Sequence, residues 1–171
     1  MIMYNTYMTH EIVRKKSLNE EEFEKTFEIL KPNLEQIGVK VTPEDKISWA
    51  ENMKKNLEND QFYFYFLYYD DEIVGYSMLY RYPDYLFLSE IQLHEKVKQT
   101  RAILYILQFL FAFHDFQNDD CLYFNILKSN RISNKTFSHL GGELIEEKET
   151  KNRYLIKREK VEKYLNKFNK K

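Results

Sequence analysis

The chain has 171 residues, enough for one domain with a real hydrophobic core. Its 43% hydrophobic and 31% charged residues exclude a disordered chain, and its net charge of −1 gives no electrostatic footprint for nucleic acid. No apolar run reaches the roughly 20 residues of a membrane-spanning helix, so we expect no membrane partner. A single cysteine, Cys121, excludes an internal disulfide and favours a reducing cytoplasm. We expect one domain over residues 1–171.

The first part of the chain predicts an arm, a strand and two helices. Residues 1–9 are predicted to be a loose arm, and residues 10–15 a short strand. The run Ser17-Leu-Asn-Glu20 has the pattern of a capping box, and the helix that it opens is predicted to end at Lys31-Pro32. Thr42 followed by proline predicts the start of a second helix.

The middle of the chain carries the strongest strand and helix patterns. Residues 62–69 (FYFYFLYY) and 73–81 predict an antiparallel hairpin across an acidic turn. Residues 85–93 predict a strand. A basic segment, residues 94–101 (HEKVKQTR), connects this strand to the most apolar predicted helix, from residue 102 to 113. Unpaired N–H groups at a helix start favour anions, so this loop is a candidate anion site. The alternative is that its lysines are only solvated.

The last third predicts a strand at 121–127, a short helix capped by Asn130 and ended by Gly141-Gly142, a closing hairpin at 144–158, and a basic helix over 159–171. The crossover from strand 85–93 to strand 121–127 through a helix predicts that these two are parallel neighbours. The predicted fold class is therefore α/β (α+β), with a mixed, mostly antiparallel central sheet flanked by helices.

This order of elements resembles the GNAT N-acetyltransferase superfamily over about residues 10–158. At the head of the central helix the family has a basic residue or Gln, two spacers, Gly, a spacer, and Gly or Ala. Here Lys98 stands in the basic place, and Arg101 and Ile103 stand in the glycine places. A second register puts Ala102 on the last small residue. The loop is thus degenerate, because side chains replace the glycines that let a backbone approach a pyrophosphate.

The segment from Asn130 to Gly142 also resembles the family pattern. Asn130 matches an asparagine before a short helix, and Gly141 matches a glycine that follows it. Phe137 stands where the family has a tyrosine that gives a proton to the departing thiolate, and phenylalanine has no hydroxyl.

The resemblance implies acetyl-CoA as the acyl-donor cosubstrate and a small-molecule or peptide amine as the acceptor. The oligomeric state is left open by the sequence, with a homodimer as one option. The residues that the resemblance implies for coenzyme binding are Ile91, Leu93, Lys98, Gln99, Thr100, Arg101, Ala102, Ile103, Asn130, Asn134 and Phe137.

Glu90 is the candidate general base, because a carboxylate among apolar neighbours has a raised pKa that suits taking a proton from an ammonium. His94, which follows the strand, could serve instead. The alternative for Glu90 is a structural role, since strand alternation leaves its face open and a bulge would invert it. His114 and His139 are expected at helix surfaces or caps. No two histidines have ligand spacing, so we expect no metal.

The resemblance, with Glu90 as the candidate base, implies an acetyltransferase in which a primary amine attacks acetyl-CoA directly. The alternative is a GNAT-fold binding or regulatory module without catalysis, which the missing glycines and Phe137 favour. A binder of single-stranded nucleic acid is disfavoured by the near-neutral charge.

Overall fold

The computed structural model describes residues 10–98, 101–114 and 121–168, so the predicted arm of residues 1–9 lies outside it. The helices and strands follow one another in the order that the sequence predicts. In chain order the elements are β1 His10–Lys15, α1 Glu20–Gln36, α2 Pro43–Leu57, β2 Phe62–Tyr69, β3 Glu72–Arg81, β4 Leu86–Leu93, a 3-10 turn Glu95–Val97, α3 Ala102–Phe113, β5 Cys121–Leu127, α4 Arg131–His139, β6 Glu143–Glu147, β7 Lys151–Lys157 and α5 Arg158–Phe168.

The strands of the described ranges form one seven-stranded sheet in the order β1-β2-β3-β4-β5-β7-β6. Neighbouring strands are antiparallel except β4 and β5, which are parallel and joined by a crossover through α3. The predicted fold class, a mixed and mostly antiparallel sheet flanked by helices, is confirmed. None of the described helices has the length and apolarity needed to cross a lipid bilayer.

Helix α1 differs from its prediction at both ends. Asn19 is the N-cap, not Ser17: its side chain accepts from the Glu22 N–H at 2.9 Å, and the Glu22 carboxylate accepts from the Asn19 N–H. The predicted end at Lys31-Pro32 is also wrong, because the helix continues through Pro32 to Gln36. Proline forfeits one helical hydrogen bond, but Asn33 in the next turn donates to β4 and holds that turn against the sheet. Gly38, at φ 86°, then ends the helix.

The sheet separates two apolar cores. One lies between the sheet and helices α3 and α5, and Ile106, Leu107 and Leu110 of α3 are fully buried in it. The other lies beneath α1 and α2, around Phe64 and Tyr76. His114, expected at a helix surface or cap, is the C-cap of α3, but it is buried there, and its Nε2 lies 2.9 Å from the Tyr65 hydroxyl. That hydrogen bond supplies the polar partner that a buried imidazole needs.

A bulge in β4 and the early end of its pairing with β5 together open a cleft in the sheet. Leu79 of β3 lies opposite Leu88, but Met78 lies opposite Glu90, so Ser89 is an extra, bulged residue. Next to this bulge the parallel pairing stops: β4 pairs with β5 only from Leu86–Leu122 to Leu88–Phe124. Beyond Leu88 the two strands are no longer partners, which leaves a wedge-shaped opening in the middle of the sheet.

Candidate active site

The opening between β4 and β5 forms a cleft of two adjoining pockets. The smaller, of about 220 Å³, is bounded by β4 from Leu88 to Gln92 and by β5 from Phe124 to Leu127. The larger, of about 430 Å³, extends past Ile91 to Lys98 and Ile103 at the head of α3. The ends of α1 and α4 wall both pockets. The cleft thus runs from the middle of the sheet to a helix start.

The backbone of β4 faces this cleft at alternate residues. The His94 N–H donates to the Val74 carbonyl of β3 at 2.8 Å. Because the N–H and C=O of one residue point to the same side in an antiparallel ladder, Gln92 also turns to β3, and Ile91 and Leu93 turn towards the cleft. The Leu93 carbonyl accepts from Asn33 Nδ2 at 3.1 Å. The peptide groups of Ile91 remain directed at the cleft, where an extended ligand could bond to them.

Glu90 lies in the smaller pocket, on the face of the sheet that α1 covers. Its carboxylate Oε1 accepts from the Tyr76 hydroxyl at 2.7 Å. Gln92 also donates to it, and the Gln92 oxygen accepts from Asn33 Nδ2 at 2.7 Å. Burial raises the pKa of Glu90, and the hydrogen bonds from Tyr76 and Gln92 oppose that rise. The result is a fixed carboxylate that can take up a proton closer to neutral pH.

Comparison with known proteins identifies the fold. No family model matches the sequence, and no curated protein matches it. Solved structures do match. An acetyltransferase from Thermus thermophilus has a TM-score of 0.71 at 18% identity, covering 87% of this chain and 97% of that one. The Campylobacter jejuni N-acetyltransferase PseH in complex with acetyl coenzyme A has a TM-score of 0.63 at 16% identity, covering 88% and 99%.

A third structure, the PaiA N-acetyltransferase from Thermoplasma acidophilum in complex with coenzyme A, has a TM-score of 0.64 at 14% identity and covers 86% of this chain and 99% of that one. This chain has the GNAT fold. The resemblance predicted from the order of elements is thereby confirmed at the level of the fold.

The second candidate base, His94, lies away from the cleft of this GNAT fold. Its side chain is exposed and is not among the residues that line either pocket. Its Nδ1 accepts from the Lys96 N–H at 3.2 Å and so caps the 3-10 turn. The structure therefore separates His94 from Glu90.

The segment at the head of α3, compared above with the GNAT coenzyme loop, contains no glycine. Lys98 borders the larger pocket, and its Nζ bonds to Gln36 at 3.0 Å and to Glu95 at 2.8 Å. Ile103 is half-buried at the same pocket, whereas Ala102 is fully buried in the core. Arg101 is exposed and precedes the helix as its N-cap. Gln99 and Thr100 lie outside the described residues.

Helix α4 brings two of the predicted residues to the cleft. The Asn130 side chain accepts from the Ser133 N–H at 3.0 Å as the N-cap, and Asn130 borders both pockets. Phe137 also borders both pockets, and the centre of its ring lies 4.4 Å from that of Phe124. Asn134 is not on the pocket walls.

Asn134 instead ties three elements together. Its Nδ2 donates to the Leu127 carbonyl at 2.8 Å, and its Oδ1 accepts from Asn152 and from the Tyr154 hydroxyl. This network holds the end of β5 against α4 and β7. The arrangement gives Asn134 a structural role at the edge of the cleft.

Several cleft residues are not predicted from the sequence. They lie on the last turn of α1, on the bulge of β4, on β5 and on α4: Asn33, Leu34, Ile37, Ser89, Asn125 and Ser133. Gly38 was the available signal, because a glycine after an apolar residue commonly ends a helix. Among the described residues, no group of three or more His, Cys, Asp or Glu could hold a metal ion.

Proposed function

We propose that this protein transfers the acetyl group of acetyl-CoA to a primary amine of a small molecule or peptide. The observation that carries the proposal is Glu90, a hydrogen-bonded carboxylate with a raised pKa inside the β4–β5 cleft. A carboxylate in this state suits the removal of a proton from an ammonium near neutral pH. The GNAT fold around it supplies a cleft of suitable shape.

The cleft residues fit acetyl-CoA. The peptide groups of Ile91 can pair with the amides of an extended pantetheine arm, as an added strand would. The larger pocket then leads to Lys98, whose charge suits a phosphate. Lys98 would exchange its bond to Glu95 for the ligand. The side chains of Arg101 and Ile103 stand in the places of the family glycines, which let backbone N–H groups approach the pyrophosphate. Positive side chains such as Lys98 must therefore replace part of that backbone contact with the phosphates.

The transfer needs one proton acceptor from the protein. Glu90 takes a proton from the ammonium, and the free amine nitrogen attacks the thioester carbonyl carbon. A C–N bond forms and the C–S bond breaks, so that CoA leaves as a thiolate. N–H groups of the β4 backbone that point into the cleft would stabilise the negative oxygen of the intermediate. The second amine proton passes to solvent.

The departing thiolate does not require a tyrosine. A thiol has an ordinary pKa of about 8.5, so the thiolate is a moderate base that water can protonate. Phe137, at the wall of both pockets, would contribute shape rather than a proton.

The second candidate is a GNAT-fold module that binds a ligand without catalysis. It is favoured by the absence of glycine at Arg101 and Ile103 and by Phe137, and it predicts no turnover. Isothermal titration with acetyl-CoA and with CoA, followed by measurement of thiol release with a panel of primary amines, separates the two. We expect binding of both and amine-dependent release of CoA. Binding without release from any amine would establish the module, and no binding would overturn both.

A further inference from the structure

Arg153 of β7 is a cation without a carboxylate partner among the described residues. Its guanidinium lies 5.6 Å from the ring centre of Tyr123 and 6.0 Å from that of Tyr85. Its Nε is buried and has no hydrogen-bond partner within the described part of the chain. Aromatic faces stabilise a guanidinium but leave its N–H groups unsatisfied. Arg153 is therefore preorganised to donate to another group.

Asn125 of β5 presents a second unsatisfied atom at the same place. It lies directly opposite Arg153 in the antiparallel ladder, so both side chains are on one face of the sheet. Its Oδ1 is buried and, within the described ranges, without a partner. Burying a polar atom without a hydrogen-bond partner is unfavourable in free energy. A ligand or a water molecule that bonds to both the donor of Arg153 and the acceptor of Asn125 would remove that cost.

Asn125 lines the cleft that holds Glu90, and Arg153 lies beside it on the neighbouring strand, outside the residues that line the two pockets. Asn125, Ser89 and Glu90 line the smaller pocket. Because of the bulge, Glu90 is on the same face of the sheet as Asn125 and Arg153. Arg153 is two strands away from Glu90, a distance of about 10 Å or more at the usual strand spacing. One small molecule could reach both groups.

The charged neighbours of Arg153 leave it available. Glu146 of β6 lies opposite it in the ladder, but that side chain is exposed and its ion pair is with Lys148 at 3.5 Å. Glu147 pairs with Lys128. Neither carboxylate is within ion-pair distance of the guanidinium, although Glu146 is close enough along the ladder to compete with a weak ligand.

We propose that Arg153 and Asn125 bind an anionic group, a carboxylate or a phosphate, at the far end of the amine acceptor. The Arg153 guanidinium donates to the anion, and Asn125 Oδ1 accepts from an N–H or O–H next to it. The inference rests on the proposed function, and it narrows the acceptor to amines that carry a negative charge. Neutral amines lack the group that satisfies the arginine.

The test uses three matched series of primary amines with graded chain length: ω-amino carboxylates, the corresponding amides, and ω-amino alkyl phosphates. Binding is measured by calorimetry on the full chain with CoA present, and transfer by thiol release. We expect wild type to bind an anionic series at least about tenfold more tightly than the amides. The carboxylate and phosphate arms identify the anion.

Two variants and a control make the test specific. Arg153→Gln removes the charge, and Asn125→Asp places a carboxylate of the same shape beside the arginine, so both should abolish the preference. Asn125→Asp decides the matter if Arg153→Gln does not fold. Arg14→Gln removes a guanidinium that also lies over a tyrosine ring, at 4.3 Å, but on β1 at the far edge of the sheet, and it should keep the preference.

The outcomes separate this inference from the proposed function. Equal binding of anionic amines and neutral amides by wild type, or a preference that survives in both variants, overturns the inference. Transfer to amines without any preference leaves the function standing and removes the anion site. Anion-dependent binding that both variants abolish, without transfer, supports the site and counts against the function.

Discussion

At the scale of single residues, the face of the sheet on which Glu90 lies is determined by the neighbouring bulge at Ser89. Regular alternation would place it on the face of Leu88, in the core beneath α3. The extra residue Ser89 moves it to the opposite face, where Tyr76 and Gln92 donate to it. The sequence indicated the residue but left its face open, because a bulge has no composition signal that separates it from a regular strand.

Replacing Glu90 by Gln tests the base directly. The amide keeps the size of the side chain and can still accept from Tyr76, but it cannot take a proton. We expect turnover to fall by about 10² or more while acetyl-CoA affinity holds. In wild type the rate should increase with pH as Glu90 loses its proton. The midpoint of that increase should lie above the ordinary carboxyl pKa of 4.5, since burial raises the pKa of Glu90. The variant should not show this increase.

Thermal unfolding provides the control for this variant. A raised pKa in the folded state means that the protonated carboxyl favours folding, and this stability is lost as the pH rises through the folded pKa. Because Gln does not ionise, Glu90→Gln should be at least as stable as wild type at neutral pH. Glu11→Gln, which changes an exposed glutamate of β1, should leave the rate unchanged. Full activity in Glu90→Gln would remove it as the base.

Phe137 allows a gain-of-function experiment. Its ring is buried against Phe124 but borders both pockets, so the added hydroxyl of Phe137→Tyr can point into the cleft. We expect the variant to fold normally and to release CoA between equally fast and about 10² times faster, because the hydroxyl can protonate the thiolate. Steady-state rates with acetyl-CoA measure this. A variant that unfolds or turns over more slowly would show that the hydroxyl has no room there.

At the scale of elements, the last turn of α1 supplies cleft residues that could not be predicted from the sequence. Proline normally stops a helix, so the pattern Lys31-Pro32 predicted an end one turn too early. The turn that follows supplies Asn33, Leu34 and Ile37 to the cleft. Long-range bonds from Asn33 to β4 hold this turn, and a local pattern contains no information about such partners. The β2–β3 hairpin and the parallel pairing of β4 with β5, in contrast, follow from local patterns and the crossover rule.

Substitutions at the head of α3 can test the proposed contact with the phosphates of CoA. Replacing Lys98 and Arg101 together by Ala removes the charge that borders the larger pocket and the charge that precedes α3, and we expect the affinity for CoA to fall by about tenfold or more. The fold should survive, because neither side chain is buried in the core. Calorimetric titration with CoA is the measurement. Lys96→Ala is the matched control, since Lys96 pairs with Glu72 of β3 and is not on the pocket walls. An unchanged affinity in the double variant would place the phosphates elsewhere.

At the scale of the whole molecule, the core beneath α3 contains a group that links stability to pH. Burial, and the positive charges of Arg81 and Arg14, lower the pKa of His114 to about 4. The Tyr65 hydroxyl beside it has a pKa raised to about 12 by burial, so it stays protonated. The folded state therefore holds a neutral imidazole at the end of α3. The sequence could not reveal this, because burial of a helix-terminal residue depends on what packs over it.

His114 should make the protein sensitive to acid. Since its folded pKa lies below the ordinary value of 6.5, its contribution is fully present above pH 6.5 and is lost as the pH falls towards 4. The loss amounts to about 3 kcal/mol in the free energy of unfolding. His114→Gln, which does not titrate, should show a flatter dependence in that window. Urea unfolding of both proteins across pH measures the difference, and parallel curves would contradict the assignment.

The extra residue Ser89 also has a consequence for how this fold could be inactivated. Deleting it would keep Glu90 on its present face, because Glu90 would then simply follow Leu88 in the alternation. It would, however, remove the bend that parts the two central strands, and their ladder could then continue beyond Leu88 and Phe124. Such a deletion should yield a protein that is no less stable but whose central cleft is closed. Slower hydrogen exchange at Ile126, with loss of acetyl-CoA binding, would reveal a continuous sheet in which the absence of one serine has closed the entrance.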